Sequence, residues 1–362
     1  MAGLEGFAYY KTITISNTNV DADLANFPVY VPIINDADIG GHCVGTNGYD
    51  VQFANADNSE TLTFERIYWN NPAGTANGDF YVLVNPVDHD ADTVIRCYYG
   101  KAEETNHSSP ENTFSTTNGW AAVWHLEESG NPYLDASSND NDSVGGTYPT
   151  QVDGKVGKGQ DFDKGSSEYI QIANSASLMF DEDDDMTVSV WLKGESFVAD
   201  WIIWCRGEDN QGYHLVIPTY EEYAWARFYI QDNEAHGKTY DNDLTNFIPG
   251  TWYHVVARID RDSSTGFQIA VNGEFNEGTD PTGVGNLSHS NPLYLGCKLG
   301  VQNFFNGILD EIRISRTLRN NAFIKFEYFN SHDGHATGNE LNWVSETPIS
   351  GPAEPIYLIW TK

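Results

Sequence analysis

The stretch Asn306-Gly-Ile-Leu-Asp-Glu-Ile-Arg-Ile-Ser, residues 306–315, decides the fold of the second half of this chain. Apolar and polar residues alternate along it, as expected for a strand with one face buried. Together with six earlier segments, all but the second of which carry similar alternation or turn residues, it predicts a two-sheet antiparallel sandwich. The six are Trp124-His-Leu-Glu-Glu, Gly157-Lys-Gly-Gln-Asp-Phe, Thr187-Val-Ser-Val-Trp-Leu, Trp252-Tyr-His-Val-Val, Val271-Asn-Gly and Tyr294-Leu-Gly.

The first hundred residues also predict antiparallel strands. Pro28 and Pro32 place the second of these strands at a sheet edge, because proline cannot donate a ladder hydrogen bond. We therefore expect an all-β protein with two β-sandwich domains, at residues 1–118 and 119–331, the first ending in a polar linker over 101–118. The predicted strands of the first domain are 9–15, 27–34, 50–53, 62–69, 79–84 and 93–100.

Two further elements are predicted near the C-terminus. Apolar residues recur at three- and four-residue spacing over 318–329, which predicts one short helix docked on the second sandwich. Residues 332–362 form a tail with an apolar end, Ile356-Tyr-Leu-Ile-Trp. We predict that this end is a final strand, paired within the chain or donated to a neighbouring subunit.

Charge narrows the classes of partner. The 362 residues carry 52 acidic and 19 basic side chains, a formal net charge of −33. A polyanion would be repelled, so we expect neither a nucleic acid partner nor binding to an anionic membrane. The acidic side chains solvate the surface, and some of them are candidates for binding divalent cations.

The cysteines, the apolar runs and the first residues indicate where the protein is located relative to the cell. Cys43, Cys97, Cys205 and Cys297 lie too far apart for a zinc motif, which leaves one disulfide per domain or free thiols. No apolar run is long enough to insert into a membrane. The first residues lack the features of a secretory signal. We expect that a signal has been removed or that the protein leaves its cell otherwise, for example in a virus particle released by lysis.

The ordered motifs of residues 119–331 resemble the laminin-G-like, concanavalin A-like family of lectins and glucanases. The resembling motifs are Asp135-Ala-Ser-Ser-Asn, Gly157-Lys-Gly-Gln-Asp-Phe-Asp, Val188-Ser-Val-Trp, Trp252-Tyr-His-Val, Val271-Asn-Gly and Gly307-Ile-Leu-Asp-Glu-Ile-Arg-Ile. The resemblance implies a jelly roll. Residues 1–118 resemble an uncharacterised bacterial and archaeal β domain that precedes such modules, which implies a secreted or surface context and no particular reaction.

The resemblance also implies one structural calcium ion. In this superfamily the ion lies near an aspartate of the final strand, which makes Asp310 the first candidate ligand, followed by Glu127 and Asp135. Calcium prefers carboxylate, carbonyl and water oxygens. The alternative for Asp310 and Glu311 is a charge pair with Arg313 or a solvated strand face.

We predict no catalytic activity. Glycoside hydrolysis needs two carboxylates about 5–10 Å apart, and related glucanases carry them as Glu-x-Asp-x-x-Glu on one strand. The nearest match here, Glu182-x-Asp184, has Thr187 in the last position. A secreted polysaccharide hydrolase or lyase, or the carbohydrate-binding module of one, remains the alternative.

Sugar binding is the preferred function. Lectin sites combine aromatic platforms with polar loop residues, and Tyr220, Tyr223 and Trp225 lie in such a segment. Trp201 and Trp204 are close by, with a strand core as their alternative role. We expect a glycan-binding protein on a virion surface, as decoration or fibre, or an extracellular adhesion protein, with glycans or other surface-assembly subunits as partners.

Overall fold

The computed structural model describes residues 4–102, 105–198, 200–207, 209–242, 245–332 and 340–349. Within them the protein is mostly antiparallel β, as predicted. None of the helices among these residues is both long and apolar enough to cross a lipid bilayer. The apolar end 356–360, for which we predicted a strand, lies outside the described residues.

Seven strands form two sheets in the first hundred residues. They are β1 (Tyr9–Ile15), β2 (Phe27–Asp36), β3 (Gln52–Asn55), β4 (Thr61–Leu62), β5 (Phe64–Asn70), β6 (Ala76–Val84) and β7 (Thr93–Tyr99). One sheet contains β1, β7, β3 and β4, and the other has the order β2-β6-β5. The proline-containing β2 is an edge strand, where its missing N–H donors leave no ladder bond unmade.

Two short strands near the C-terminus complete the first of these sheets. They are β25 (Leu341–Trp343) and β26 (Thr347–Pro348), and both pair antiparallel with β1. Ile13 lies opposite Trp343, and Tyr9 lies opposite Pro348. The chain therefore returns to its first domain after completing the second.

The strands of residues 120–315 build the second sandwich. They are β8 (Trp120–Trp124), β9 (Ser143–Thr147), β10 (Thr150–Asp153), β11 (Lys158–Phe162), β12 (Tyr169–Ile172), β13 (Met186–Gly194), β14 (Asp200–Arg206), β15 (Gly212–Ile217), β16 (Thr219–Tyr220), β17 (Tyr223–Ala224), β18 (Ala226–Gln231), β19 (Gly237–Asn242), β20 (Tyr253–Ile259), β21 (Phe267–Val271), β22 (Glu274–Phe275), β23 (Leu293–Leu295) and β24 (Gly307–Ser315). The β21–β22 hairpin turns at Asn272 and Gly273, both with positive φ, as the Asn-Gly pair predicted.

Two sheets stack in this sandwich. The covered sheet has the order β10-β11-β24-β13-β20-β21-β22, with β8 also paired to β24. The open sheet has the order β19-β18-β15-β14-β23-β12-β9. Alternate residues of both sheets meet in one apolar core, which includes Val188, Val190, Ile203, Leu215 and Phe228.

The outer face of the covered sheet packs on the first domain. A second apolar core joins Val123 and Val256 of that face to Val29 and Val82 of the first domain. We call this sheet the covered sheet because side chains on both of its faces are buried. The other sheet, which among the described residues has no such contact with the first domain, is the open sheet. The sequence of β13 shows the consequence, with eight of its nine residues buried.

Three helices in the described part of the chain have α-helical hydrogen bonding: α1 (Ala37–His42), α2 (Pro110–Thr113) and α3 (Asn321–His332). Helix α3 is the predicted C-terminal helix. Its Phe323 and Phe326 rings lie 4.7 and 5.1 Å from the ring of Phe27, and its Asn330 side chain bonds both the N–H and the C=O of Tyr30. The helix thus fills the space between β2 and the covered sheet.

One part of the segment predicted as a linker packs against both domains. Phe114 is fully buried, and its ring lies 5.4–5.5 Å from the rings of Tyr81, Trp120 and His125. The four cysteines are free thiols, of which Cys43 is half-buried and the others are buried.

Candidate functional site

A bulge in β24 turns consecutive acidic side chains toward the first domain. The β13–β24 register shifts between Ser189 and Trp191, and Glu311 adopts a φ of 50°. A bulge inserts one extra residue and re-aims its neighbours. As a result, Asp310 and Glu311 do not alternate between faces, whereas Leu309 and Ile312 on either side of them both enter the core of the sandwich.

Glu311 belongs to an ionic network between the domains. Its carboxylate accepts from Arg313, which also donates to Glu327 of α3 at 3.0 Å. His125 lies 2.8 Å from Glu311 and 3.0 Å from Glu65 of the first domain. Burial alone would lower the pKa of His125, but the two carboxylates raise it well above its ordinary value. The alternative considered for Glu311, a pair with Arg313, is therefore what the structure contains.

Asp310 and Glu127 hold one turn of the β10–β11 hairpin. Asp310 Oδ2 accepts from the backbone N–H groups of Lys155 and Val156 at 2.6 and 2.8 Å. Glu127 Oε1 accepts from the N–H of Lys158 at 2.7 Å. Burial and the neighbouring Glu311 raise the pKa of Asp310 well above its usual range. Burial raises the pKa of Glu127 to about 8.

Glycines let this turn approach the two carboxylates. A Cβ on Gly157, whose φ is +54°, would overlap Glu127 Oε1, and a Cβ on Gly154 would lie 2.6 Å from Asp310 Oδ2. The same turn borders a cavity of about 310 Å³ between the domains. The cavity is lined by Tyr68, Asp79, Glu127, Asp153, Gly154, Gly157 and Lys158.

Asp310 and Glu127 partly fit the calcium expectation. Asp310 Oδ1 is buried and has no hydrogen-bond partner among the described residues. The two carboxylates supply fewer oxygens than calcium prefers, so carbonyls and water would have to complete the shell.

Asp135 does not fit a metal site. Its two oxygens accept from the N–H groups of Val123, Ser137 and Asn141 and from the Ser137 hydroxyl, at 2.8–3.0 Å. These four bonds satisfy the carboxylate and tie β8 to the loop that follows it. The structure therefore gives Asp135 a role in holding that loop.

A different group has metal-ligating atoms close together. Within the described residues, Asp23, Asp88 and His89 form the one set of three whose ligand atoms lie within 4.8 Å of one another. His89 Nδ1 already bonds Asp23 at 2.8 Å, and the group is largely exposed. The group is a surface ion pair, and no motif in the sequence points to it.

The predicted ligand-contact residues lie on a small hairpin. Tyr220 and Tyr223 face each other across β16 and β17, and Tyr220 is 70% exposed. The Tyr223 and Trp225 rings lie 5.9 Å apart, and the Arg227 guanidinium lies 5.7 Å from the Trp225 ring. These side chains lead from the hairpin onto the outer face of the open sheet.

The outer face of the open sheet carries a row of aromatic side chains. Tyr229 lies opposite His214, His214 opposite Trp204, and Trp204 opposite Tyr294, so one row crosses four strands. The His214 ring stacks on Tyr229 at 5.0 Å and on Trp204 at 5.3 Å. We call the following set the aromatic face: Tyr169, Trp201, Trp204, His214, Tyr229 and Tyr294.

Basic side chains lie over these rings. The Arg206 guanidinium is 4.6 Å from the Tyr229 ring and 5.1 Å from the Trp204 ring. The Lys298 ammonium is 5.0–5.3 Å from the rings of Trp204 and Trp201. Burial and these cations lower the pKa of His214 well below its usual value, so the ring is neutral at pH 7.

The aromatic face also holds unused hydrogen-bond donors. The indole N–H groups of Trp201, Trp204 and, beside the face, Trp225 have no partner among the described residues. Of the outward-facing residues on the described open-sheet strands, Asp241 is the one carboxylate, and Arg227 holds it at 2.5 and 2.7 Å. This arrangement offers ring faces and donors, without the pair of carboxylates that sugar hydrolysis uses.

The sequence identified part of this face. Trp201 and Trp204 were noted with a strand core as their alternative role, and Trp204 is indeed buried, but on the outer side of its sheet. Tyr229, Tyr294 and Tyr169 were not singled out. They come from separate strands, so only alternation in each strand, combined with the strand order, could have brought them together.

Comparison with known families supports the predicted sandwich. Residues 163–325 match the model of the concanavalin A-like lectin/glucanases superfamily, which confirms the resemblance for this part of the chain. A comparison with curated protein sequences gives no significant match. The resemblance of residues 1–118 to a bacterial and archaeal domain stays a prediction.

Several solved structures are similar in fold. The binding domain of Paraclostridial Mosquitocidal Protein 1 is 15% identical with a TM-score of 0.49, over 59% of this chain and 53% of that one. The botulinum neurotoxin serotype G binding domain is 13% identical with a TM-score of 0.48, over 58% and 50%. This chain thus spans about half the length of these toxin domains.

A third similar structure is domain 4 of AbnA, an extracellular GH43 arabinanase of Geobacillus stearothermophilus, in complex with arabinotriose. It is 15% identical with a TM-score of 0.43, over 57% of this chain and 97% of that one. At these identities and scores the likeness concerns the fold alone, and nothing about the function of this chain follows from it.

Proposed function

We propose that this chain is a non-catalytic glycan-binding protein displayed on an extracellular surface, either that of a virus particle or that of a cell. The aromatic face is the proposed binding surface. The observation that carries the proposal is the row of rings from Tyr229 to Tyr294 across four strands.

The chemistry of the face suits a sugar chain. Sugar rings present C–H groups that pack on aromatic faces, and hydroxyls that accept from donors such as an indole N–H. Tyr169, Trp201, Tyr229 and Tyr294 are each half-buried, so part of each side chain reaches solvent. A row that crosses several strands offers more than one contact to an extended polysaccharide. The hairpin of Tyr220 and Tyr223 lies at one end of this surface.

A glycan array, followed by titration of the best glycan, tests the proposal. We expect Tyr229→Ala and Tyr294→Ala each to weaken binding about tenfold, or ~1.4 kcal/mol. Tyr49→Ala is the matched control, because Tyr49 lies in the first domain and also has an arginine, Arg66, 4.9 Å from its ring. No glycan bound by the wild type, or equal losses in all three variants, would refute this role for the face.

Calcium is a separate part of the proposal. We propose that Asp310 and Glu127 bind one structural calcium ion beside the β10–β11 turn. The unpartnered Asp310 Oδ1 and the adjoining cavity support it. When bound, the ion would neutralise buried carboxylates that are costly to ionise.

Thermal unfolding with added calcium and with chelator tests this site. We expect calcium to raise the Tm of the wild type and of Asp135→Asn, and to leave the Tm of Asp310→Asn unchanged. Asp135→Asn controls for general loss of stability, because all the bonds of the Asp135 carboxylate hold a loop. A calcium response that survives Asp310→Asn would place the ion elsewhere, for example at the group of Asp23, Asp88 and His89.

A further inference from the structure

A second cavity, of about 460 Å³, opens among loops at the ends of strands in the second sandwich. Its volume lies within the range of small-molecule sites. None of its lining residues belongs to the aromatic face or to the Asp310 turn. The acidic segment 181–185 and the β18–β19 turn contribute to its walls, together with residues 281–286.

Asp232 ties two walls of this pocket together. One carboxylate oxygen accepts from the N–H groups of Glu234 and His236, and the other accepts from the N–H of Gly285 at 2.8 Å. His236 Nδ1 lies 3.0 Å from the same carboxylate. Asp232 is therefore fully used in shaping the pocket, which makes the walls pre-organised for a ligand.

Arg261 lines the pocket with donors that are not used. Its Nη2 donates to the carbonyls of Asp181 and Gly285 at 3.1 and 2.9 Å, which fixes the side chain in place. Its Nε and Nη1 have no partner among the described residues, although Arg261 is only 7% exposed. Buried donors are nearly always bonded, and an unbonded charged donor points to a group that the described residues do not supply.

The neighbours of Arg261 restrict what this group can be. Glu182, Asp183 and Glu234 also line the pocket, so its charge is negative despite the arginine. An anionic ligand would be repelled by these carboxylates. A metal ion would be repelled by the guanidinium, and these acids are not among the described groups whose ligand atoms converge. A neutral ligand that both accepts and donates hydrogen bonds meets neither obstacle.

We propose that this pocket binds a neutral saccharide residue, with two of its hydroxyl oxygens accepting from Arg261 Nε and Nη1. The same hydroxyls donate to the carboxylates of the rim. Nε and Nη1 lie on opposite edges of the planar guanidinium, so they donate in different directions, to two separate hydroxyls. The pocket is a site for one sugar residue, distinct from the extended aromatic face, and it does not depend on that face binding a glycan.

The arginine Nε–H resonances of the full chain, labelled with ¹⁵N-arginine, report on this site directly. The Arg261 signal is identified by its loss in Arg261→Lys. We expect it to shift saturably with at least one of D-glucose, D-galactose and D-mannose. Arg258 is the matched control, because its buried guanidinium already donates to Gln268, Asn321 and the Arg319 carbonyl. Its resonance should not shift when sugar is added.

Two variants separate this site from the aromatic face. The double variant Tyr229→Ala with Tyr294→Ala should keep the sugar-dependent shift of the Arg261 signal. Glu234→Gln should weaken the binding of the sugar that gives this shift about tenfold. No saturable shift with any of the three sugars would overturn the proposal and assign the free donors to water. A shift with D-glucuronate alone, or with calcium chloride alone, would overturn the neutral saccharide as the ligand class.

Discussion

The two sheets of the second sandwich differ in what lies on their outer faces. The outer face of the covered sheet holds Glu311, Arg313 and His125 in a buried ionic network against the first domain. The outer face of the open sheet holds aromatic rings with arginine and lysine over them. Both faces mix polar and aromatic residues, yet one joins two domains and the other faces outward.

The difference shows how the same residue types act under different burial. A buried carboxylate needs a partner, because the unpaired charge is costly in a low-dielectric interior. A half-buried ring or cation keeps contact with water and can exchange it for a ligand. The two faces therefore differ most in how far a mutation lowers the free energy of unfolding.

The largest contrast is expected between two arginines. Arg313→Ala leaves Glu311 and Glu327 buried without their guanidinium, and should lower the free energy of unfolding by about 3–5 kcal/mol. Arg227→Ala breaks the half-exposed pair with Asp241 on the open sheet, and should cost about 0.2–1 kcal/mol. Urea unfolding of both variants measures this, and equal costs would contradict the distinction between the faces.

Two glycines provide a smaller contrast. Gly157→Ala would force a Cβ against Glu127 in the covered sheet, at a positive φ, and should cost about 1–3 kcal/mol. Gly145→Ala on β9 of the open sheet meets only the Gln171 side chain, at 3.8 Å, and should stay within about 0.5 kcal/mol. Thermal unfolding compares them. A tolerated Gly157→Ala would show that the β10–β11 turn is not held closely by its carboxylates.

Two buried histidines should give opposite pH dependence, at up to about 1.4 kcal/mol per pH unit. The pKa of His125 is raised in the folded protein, so its stabilisation is present below pH 6.5 and is lost as the pH rises through the folded value. The pKa of His214 is lowered, so it reduces stability as the pH falls below 6.5, because the unfolded chain then binds the proton.

Unfolding free energies at several pH values, with chelator present, test both signs. His125→Gln should flatten the loss of stability above pH 6.5, and His214→Gln should flatten the loss below it. Glu127, with its pKa raised to about 8, also loses stabilisation as the pH rises, so each variant is compared with wild type at the same pH. If both histidines changed the unfolding free energy with pH in the same direction, the opposite environments of His125 and His214 would be contradicted.

Most of the fold follows from the sequence by local rules. Strands such as β1, β7 and β24 alternate, and the Asn272-Gly273 turn needs two positive φ values, so these elements can be read without tertiary information. Gly157 and Gly159, at the start of β11, belong to a motif that is visible in the sequence. The structure supplies the reason for one of them, since Gly157 makes room for Glu127.

The candidate sites were harder to predict because they depend on several strands at once. The bulge at Glu311 sends Asp310 and Glu311 to the same side, which strict alternation does not predict. Of the three predicted calcium ligands, Asp310 and Glu127 meet at one turn, whereas Asp135 is fully used in holding a loop. Arg261 gave no signal at all in the sequence, because an unpartnered donor is visible only when every neighbour is known.

The sequence by itself determined the strands, the turns, the helix and the lectin-type sandwich, since these follow from the period of the pattern and from turn chemistry. Only the tertiary structure decided which sheet is covered and which is open. That choice depends on where the first domain and α3 pack, and packing is set by contacts between residues far apart in the chain. Burial then decided that Arg313 joins two domains, while Tyr229 and Tyr294 are left facing outward.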